Sequence, residues 1–201
     1  AMAYNINTGE ILDWAPTTNG TINTIAASVD GQTLYLGGEF TTLNDQTAWR
    51  VGAVRAADGQ RARLGAAANG SVKALSVSAD GQTLYIGGAF TQINSSARQR
   101  AAAINLNTQQ LTGFAPKVDN YYVRSIVGAS DGSAVAIGGA FESVEGSDNP
   151  GHGIAVFEKD GSLRKNNVSS VVRGAGPEAS VMSVKDDEQG LYAARDPRTG
   201  T

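Results

Sequence analysis

LYLGGEFT at residues 34–41, LYIGGAFT at 84–91 and VAIGGAFE at 135–142 are one motif written three times. Gly37 precedes Gly87 by 50 residues and Gly87 precedes Gly138 by 51, and the pairs Asp30-Gly31, Asp80-Gly81 and Asp131-Gly132 keep the same intervals. The match extends to the start of the chain. ILDWAP at 11–16 aligns with LTGFAP at 111–116, and NINTG at 5–9 with NLNTQ at 105–109, an offset of 100 or two periods. A fixed period of this length marks a repeat architecture, so the unit must be read before the fold.

Residues 71–120 give the clearest unit. SVKALSVSAD predicts a first strand, and Asp80-Gly81 a tight hairpin turn with positive φ, which Gly adopts freely and Asp tolerates. TLYIGGAF is then the second strand, RAAAINLN the third and LTGFAP the fourth, ended by a proline that a central strand would not accept. Four antiparallel strands in about 50 residues make the blade of a β-propeller. Gly87-Gly88 would withhold side chains where a neighbouring backbone or ring comes close, and Phe90 would supply bulk beside them. A phosphate-cradling role needs a helix N-terminus directly behind the glycines, and TQIN has no helical period. Leu34, Leu36, Phe40, Leu84, Ile86, Phe90, Val135, Ile137 and Phe141 are the expected packing between sheets.

This period divides the chain into blades at 21–70, 71–120 and 121–172, with strands three and four of another blade at 3–16 and strands one and two at 180–194. Those outer and inner strands can join as one split blade, closing a four-bladed ring and removing open sheet edges. The same pattern fits a consecutive piece of a larger propeller, with the remainder of the ring supplied elsewhere.

Composition narrows the partners. The chain has no cysteine, which removes disulfides and thiolate metal sites, and its net charge of −3 offers no basic stripe for nucleic acid. No apolar run approaches the roughly 18 residues that span a bilayer, so no membrane insertion is expected. Sparse charge with abundant Gly, Ala, Ser, Thr and Asn predicts short strands and almost no helix.

The stretch DGQTLYLGGEFTTLN at 30–44, an arginine ahead of an Ala-rich third strand, the NTG turn, and then WAP and NG together resemble known repeats. They are similar to those of secreted or surface-attached β-propeller proteins of actinobacteria, and to GGxF repeats in the propeller region of fungal cell-surface polarity markers. The resemblance implies an extracellular or cell-wall setting. No catalytic motif travels with it.

Candidate chemistry is thin. His152 is the only histidine, so a multi-histidine metal site is impossible within the chain and a catalytic triad could use only that residue. It is expected as an exposed or locally bonded loop residue. Asp30, Asp80 and Asp131 read as turn residues, and Arg50 and Arg100, fixed to the repeat, as scaffold that bonds loop carbonyls. Asp186-Asp187-Glu188 reads as a hairpin tip or, less simply, a calcium site. Asn19, Asn69, Asn94 and Asn167 fit the glycosylation pattern, but Asn-Gly is also turn chemistry. No cofactor is expected.

Residues shared by the blades build the scaffold, so a private function should sit where the repeat breaks. Trp49 replaces Gln99, and Tyr121-Tyr122 replace Thr21-Ile22 and Ser71-Val72. Both sets precede strands that start at one rim. With Asn44, Asp45 and Asn120 they form the candidate ligand-binding set, flat rings beside hydrogen-bonding groups suited to a glycan or a protein. The favoured function is a non-catalytic binding or scaffolding propeller. The alternative is a glycan-processing hydrolase or lyase with carboxylates over the central channel.

Overall fold

Each copy of the motif forms the second strand of an antiparallel sheet. In the computed structural model, which describes residues 1–147, 152–165, 168–173, 180–187 and 190–195, two of these sheets are complete four-stranded blades. Blade one orders Ile22–Ala27, Thr33–Gly38, Val51–Arg55 and Arg61–Ala62, and blade two orders Val72–Val77, Thr83–Gly88, Ala101–Asn105 and Gln110–Leu111. Blade three has three strands, Val123–Gly128, Ala134–Gly139 and Ile154–Glu158. Its expected fourth strand is reduced to one bridge, Phe157 to Leu163, and the chain then turns into a short helix at Val168–Arg173. Val172 of that helix is buried with Ile154 and Val181, so the helix covers apolar surface at the next boundary.

The fourth strands are shorter than the sequence suggests, two residues each in blades one and two. The WAP and FAP segments are not strands. Phe114 instead plugs a blade boundary, its ring edge-on to Tyr85 at 5.5 Å and to Phe157 of blade three at 5.6 Å. The buried Trp14 donates its indole N–H to the Arg55 carbonyl at 3.1 Å.

The turns also differ from expectation. Of Asp30-Gly31 only the glycine is left-handed, at φ 70°. Ser28 N–H reaches the Thr33 carbonyl at 2.8 Å, so the loop holds four residues rather than two. Asp30 accepts from the Ser28 hydroxyl and the Gln32 N–H, which holds this longer loop together. The tight turn with two left-handed residues occurs at Asn44-Asp45 and Asn94-Ser95. These cap small hairpins, Thr42–Leu43 with Gln46–Thr47 and Gln92–Ile93 with Ser96–Ala97, in what the sequence offers only as polar loops.

The glycine pair sets how blades stack. A Cβ on Gly87 would stand 2.7 Å from Val123 Cγ1 of blade three, and a Cβ on Gly88 would stand 2.2 Å from the Ser71 carbonyl within its own blade. Gly37 meets Val72 and Gly138 meets Val181 in the same way. The first glycine is thus a notch for the next blade's valine, and the second lets the first strand bulge alongside. Around the notches, Leu36, Phe40, Leu84, Ile86, Phe90, Val135, Ile137 and Phe141 are fully buried as expected, whereas Leu34 is only partly so.

Hairpins flank this array. Ala3–Tyr4 pairs with Ile11–Leu12, and Val181–Asp186 with Leu191–Arg195. Each is a two-stranded sheet of its own, and the two do not pair with one another among the described residues. No helix among the described residues is long and apolar enough to cross a membrane.

Candidate functional site

The register places one rim of the array. Gly37 pairs with Val51 and Ile22 with Gly38, so the end of each second strand lies beside the starts of the first and third strands. Trp49 and the connector 120–122 therefore share the glycine-pair end of the blades. Trp49 is 47% exposed, with the Arg50 guanidinium 5.9 Å from its ring centre. Arg50 donates to the Ala68 carbonyl at 3.1 Å, which ties this corner to the connector before blade two.

One boundary further on, Arg100 repeats the device, donating to the Val118 carbonyl at 2.7 Å and the Tyr121 carbonyl at 2.8 Å. Both arginines thus bond loop carbonyls, as their place in the repeat implies. Tyr121 is 63% exposed with φ 46°, next to Asn120 at φ 56°. Strand pairing corrects the alignment by one residue here. Val123 pairs with Gly139 as Val72 pairs with Gly88, so Tyr122 corresponds to Ser71, Tyr121 to Gly70 and Asn120 to Asn69. A tyrosine stands where the other blades have Gly20 and Gly70, and the connector takes a different path here, because those glycines are not left-handed whereas Tyr121 is, a conformation that costs a bulky residue some strain.

The side chains around it are committed to holding that shape. Asn120 Nδ2 donates to Glu142 Oε2 at 2.7 Å, as Asn69 Nδ2 donates to the Thr91 hydroxyl at 2.9 Å, and Asn69 Oδ1 also accepts from Thr91 N–H and Gln92 N–H. Tyr122 is half-buried beneath Lys73 of blade two, whose Nζ sits 5.0 Å from the ring centre. Asn44 accepts from Thr17 N–H and donates to the Gly59 carbonyl, both at 2.9 Å, so it shapes the turn that presents the exposed Asp45. Trp49 and Asp45 belong to blade one, while Asn120, Tyr121 and Tyr122 gather at the boundary of blades two and three. Lys73, Arg100 and Glu142 join this second group. Sequence alone offered one signal for them: Glu142 stands where the other blades carry Thr41 and Thr91.

Asp30, Asp80 and Asp131 are employed in turns. The Ser28 hydroxyl and then the Gln32 N–H hold the Asp30 carboxyl below its usual range. Ser78 and Gln82 do the same for Asp80, and the Ser133 N–H and hydroxyl for Asp131. Among the described residues no group of three or more His, Asp or Glu side chains is placed to hold a metal ion. Asp186 and Asp187 stand at a hairpin tip, and Glu188 lies outside the described residues. His152, expected exposed or locally bonded, is buried, and its Nε2 makes no hydrogen bond among the described residues. The amides of Asn19 and Asn69 brace residues 41–42 and 91–92, which is turn chemistry, while Asn167 lies outside the described residues.

No protein-family model and no curated protein sequence matches the chain. Solved structures do. Hydrazine synthase of Kuenenia stuttgartiensis superposes with a TM-score of 0.51 at 15% identity, covering 95% of this chain and 45% of that one. Sqt1 from Chaetomium thermophilum gives 0.52 at 19% identity, covering 84% and 39%. The same protein bound to the N-terminus of ribosomal protein L10 gives 0.52 at 18%, covering 84% and 40%. These are β-propeller proteins. The chain has a β-propeller-like fold. It spans less than half the length of each of these structures.

Proposed function

We propose that the chain is a non-catalytic binding or scaffolding propeller, with blades that belong to a ring and a rim that contacts a partner. The observation that carries this reading is Tyr121. An exposed aromatic ring in left-handed backbone, at a position the repeat gives to glycine, lies outside the buried clusters between blades and costs some backbone strain. Arg50 and Arg100 are left-handed too, at φ 63° and 66°, but their guanidinium groups bond connector carbonyls, whereas the Tyr121 ring is turned to solvent and free to meet a partner. Arg100, Asn120 and Glu142 hold it in place, and Trp49 offers a second ring at the neighbouring boundary.

A protein segment is the partner class best supported, since a similar propeller, Sqt1, is bound to the N-terminus of a ribosomal protein. A glycan is the second reading, because flat rings beside Asp45 and Asn120 also suit a sugar's apolar face and hydroxyls. The extracellular or cell-wall setting rests on the resemblance of the GGxF repeat. The hydrolase or lyase alternative draws little support from Asp30, Asp80 and Asp131, which are employed in turns.

Peptide and glycan arrays probed with the wild-type chain, Tyr121→Gly and Trp49→Ala test the proposal. Binding to a peptide set is expected, weakened tenfold or more by either change. Trp49→Ala should cost about 1 kcal/mol, from the covered half of the ring and its contact with Arg50, and Tyr121→Gly should raise stability by about 1 kcal/mol as the strain is relieved. Unchanged binding in both variants contradicts the rim, and polysaccharide turnover lost with a single carboxylate would reinstate the enzyme.

A further inference from the structure

Blade one presents a face that blades two and three bury. Val72, Val123 and Val181 each seat against the first glycine of the blade before, and Ile22 holds the same register position, opposite Gly38 as Val72 is opposite Gly88. Three residues on, Ile25 is 52% exposed, while its counterparts Leu75, Ile126 and Val184 are 8%, 5% and 1% exposed. Beside it lies an open hollow of about 530 Å³ lined by Ala1, Met2, Thr18, Ile22, Thr24 and Ile25.

The hairpin next to this face is half of a blade. Tyr4 pairs with Ile11 as Ile104 pairs with Leu111, so residues 3–12 are strands three and four. In blade two the third strand is flanked by the glycine strand, Thr83–Gly88 against Ala101–Asn105. Ala3–Tyr4 has no such neighbour among the described residues, and Tyr4 is exposed where Ile104 is fully buried.

We propose that this half-blade and the Ile22–Ile25 face form a docking site for one β-hairpin. Its second strand must end in Gly-Gly, and it is supplied by sequence outside these 201 residues. Two strands are needed because the half-blade already supplies the other two. Glycine is needed because a Cβ at the equivalent notches would stand 2.5–2.7 Å from a valine methyl.

The chain's own last hairpin has the right register and the wrong residues. Val181 pairs with Arg195 and Ser183 with Ala194, as Val72 pairs with Gly88 and Ala74 with Gly87. Ala194 and Arg195 therefore stand where the glycine pair is required. This argues against closure of the chain on itself, and equally against a second copy, which carries the same two residues.

Residues 1–8 align with 101–108, so a copy of residues 71–100 fused ahead of Ala1 completes the blade without a break in phase. Thermal unfolding and sedimentation should be compared for the 201-residue chain, this fusion, and the same fusion with the copied Gly87→Val. The Gly-Gly fusion should raise Tm by about 5 °C or more, and the Gly87→Val copy should lose that gain. Equal behaviour of the two fusions, whether stabilised, neutral or insoluble, overturns the proposal. So does a concentration-dependent dimer of the unfused chain that the Gly-Gly fusion leaves intact.

Discussion

Gly87 and Val123 meet across the boundary of blades two and three with no room for a side chain between them, and Gly88 meets the Ser71 carbonyl more closely still. The two contacts predict different outcomes for similar substitutions. Gly87→Ala overpacks a side chain and should cost about 1–3 kcal/mol, part of which Val123→Ala should restore in a double-mutant cycle read by denaturant unfolding. Gly88→Ala faces backbone and should cost more, with no rescue from Val123→Ala. Additive costs in the first pair would show that the notch is not where the blades touch. The glycines were legible in the sequence as sites of close approach, but their partners were not. Val72, Val123 and Val181 look like ordinary strand residues, and only the pairing register shows each one opposite a bulge and against the next blade.

At the level of the hairpin, Ser28-Asp30-Gln32 recurs as Ser78-Asp80-Gln82, a hydroxyl and an N–H converging on one carboxylate. These bonds favour the ionised form, so the folded-state pKa values lie below the unfolded value near 3.9. Their contribution to stability is then complete above that value and lost as pH falls through the folded-state values. Unfolding midpoints should fall below about pH 4, and a variant with Asp30→Asn, Asp80→Asn and Asp131→Asn should show a shallower acid limb. An identical limb would mean that the turn carboxylates contribute nothing. The sequence marked the turns through Asp-Gly but not their length, because an Asp side chain that accepts two local bonds stabilises a four-residue loop as well as a two-residue one. The hairpins capped by Asn44-Asp45 and Asn94-Ser95 escaped for the same reason. Polar residues with left-handed tolerance read as loop until their pairing is seen.

Across the whole molecule, the 50-residue period was enough to place the three glycine strands and the first and third strands that pair with them, since binary pattern and turn spacing repeat together, but not the missing fourth strand of blade three. It also marked Trp49 and Tyr121 as departures from the repeat. It did not reveal that Tyr121 takes a glycine's place, because the extra residue that lengthens the interval to 51 falls ahead of that connector and shifts the correspondence by one. Nor did it reveal that the two terminal hairpins stay separate. Their strand patterns are complementary, and what differs is the notch, Ala194 and Arg195 in place of two glycines. The blades form an array stacked through glycine notches, with one face left open at blade one. Residue-resolved hydrogen exchange of the 201-residue chain tests it most directly. Amides of Thr83–Gly88, Ala101–Asn105 and Ala134–Gly139 should exchange slowest, those of Ala3–Tyr4 and Leu191–Arg195 much faster. Equal, strong protection at Ala3–Tyr4 and Leu191–Arg195 would show a closed ring and contradict it.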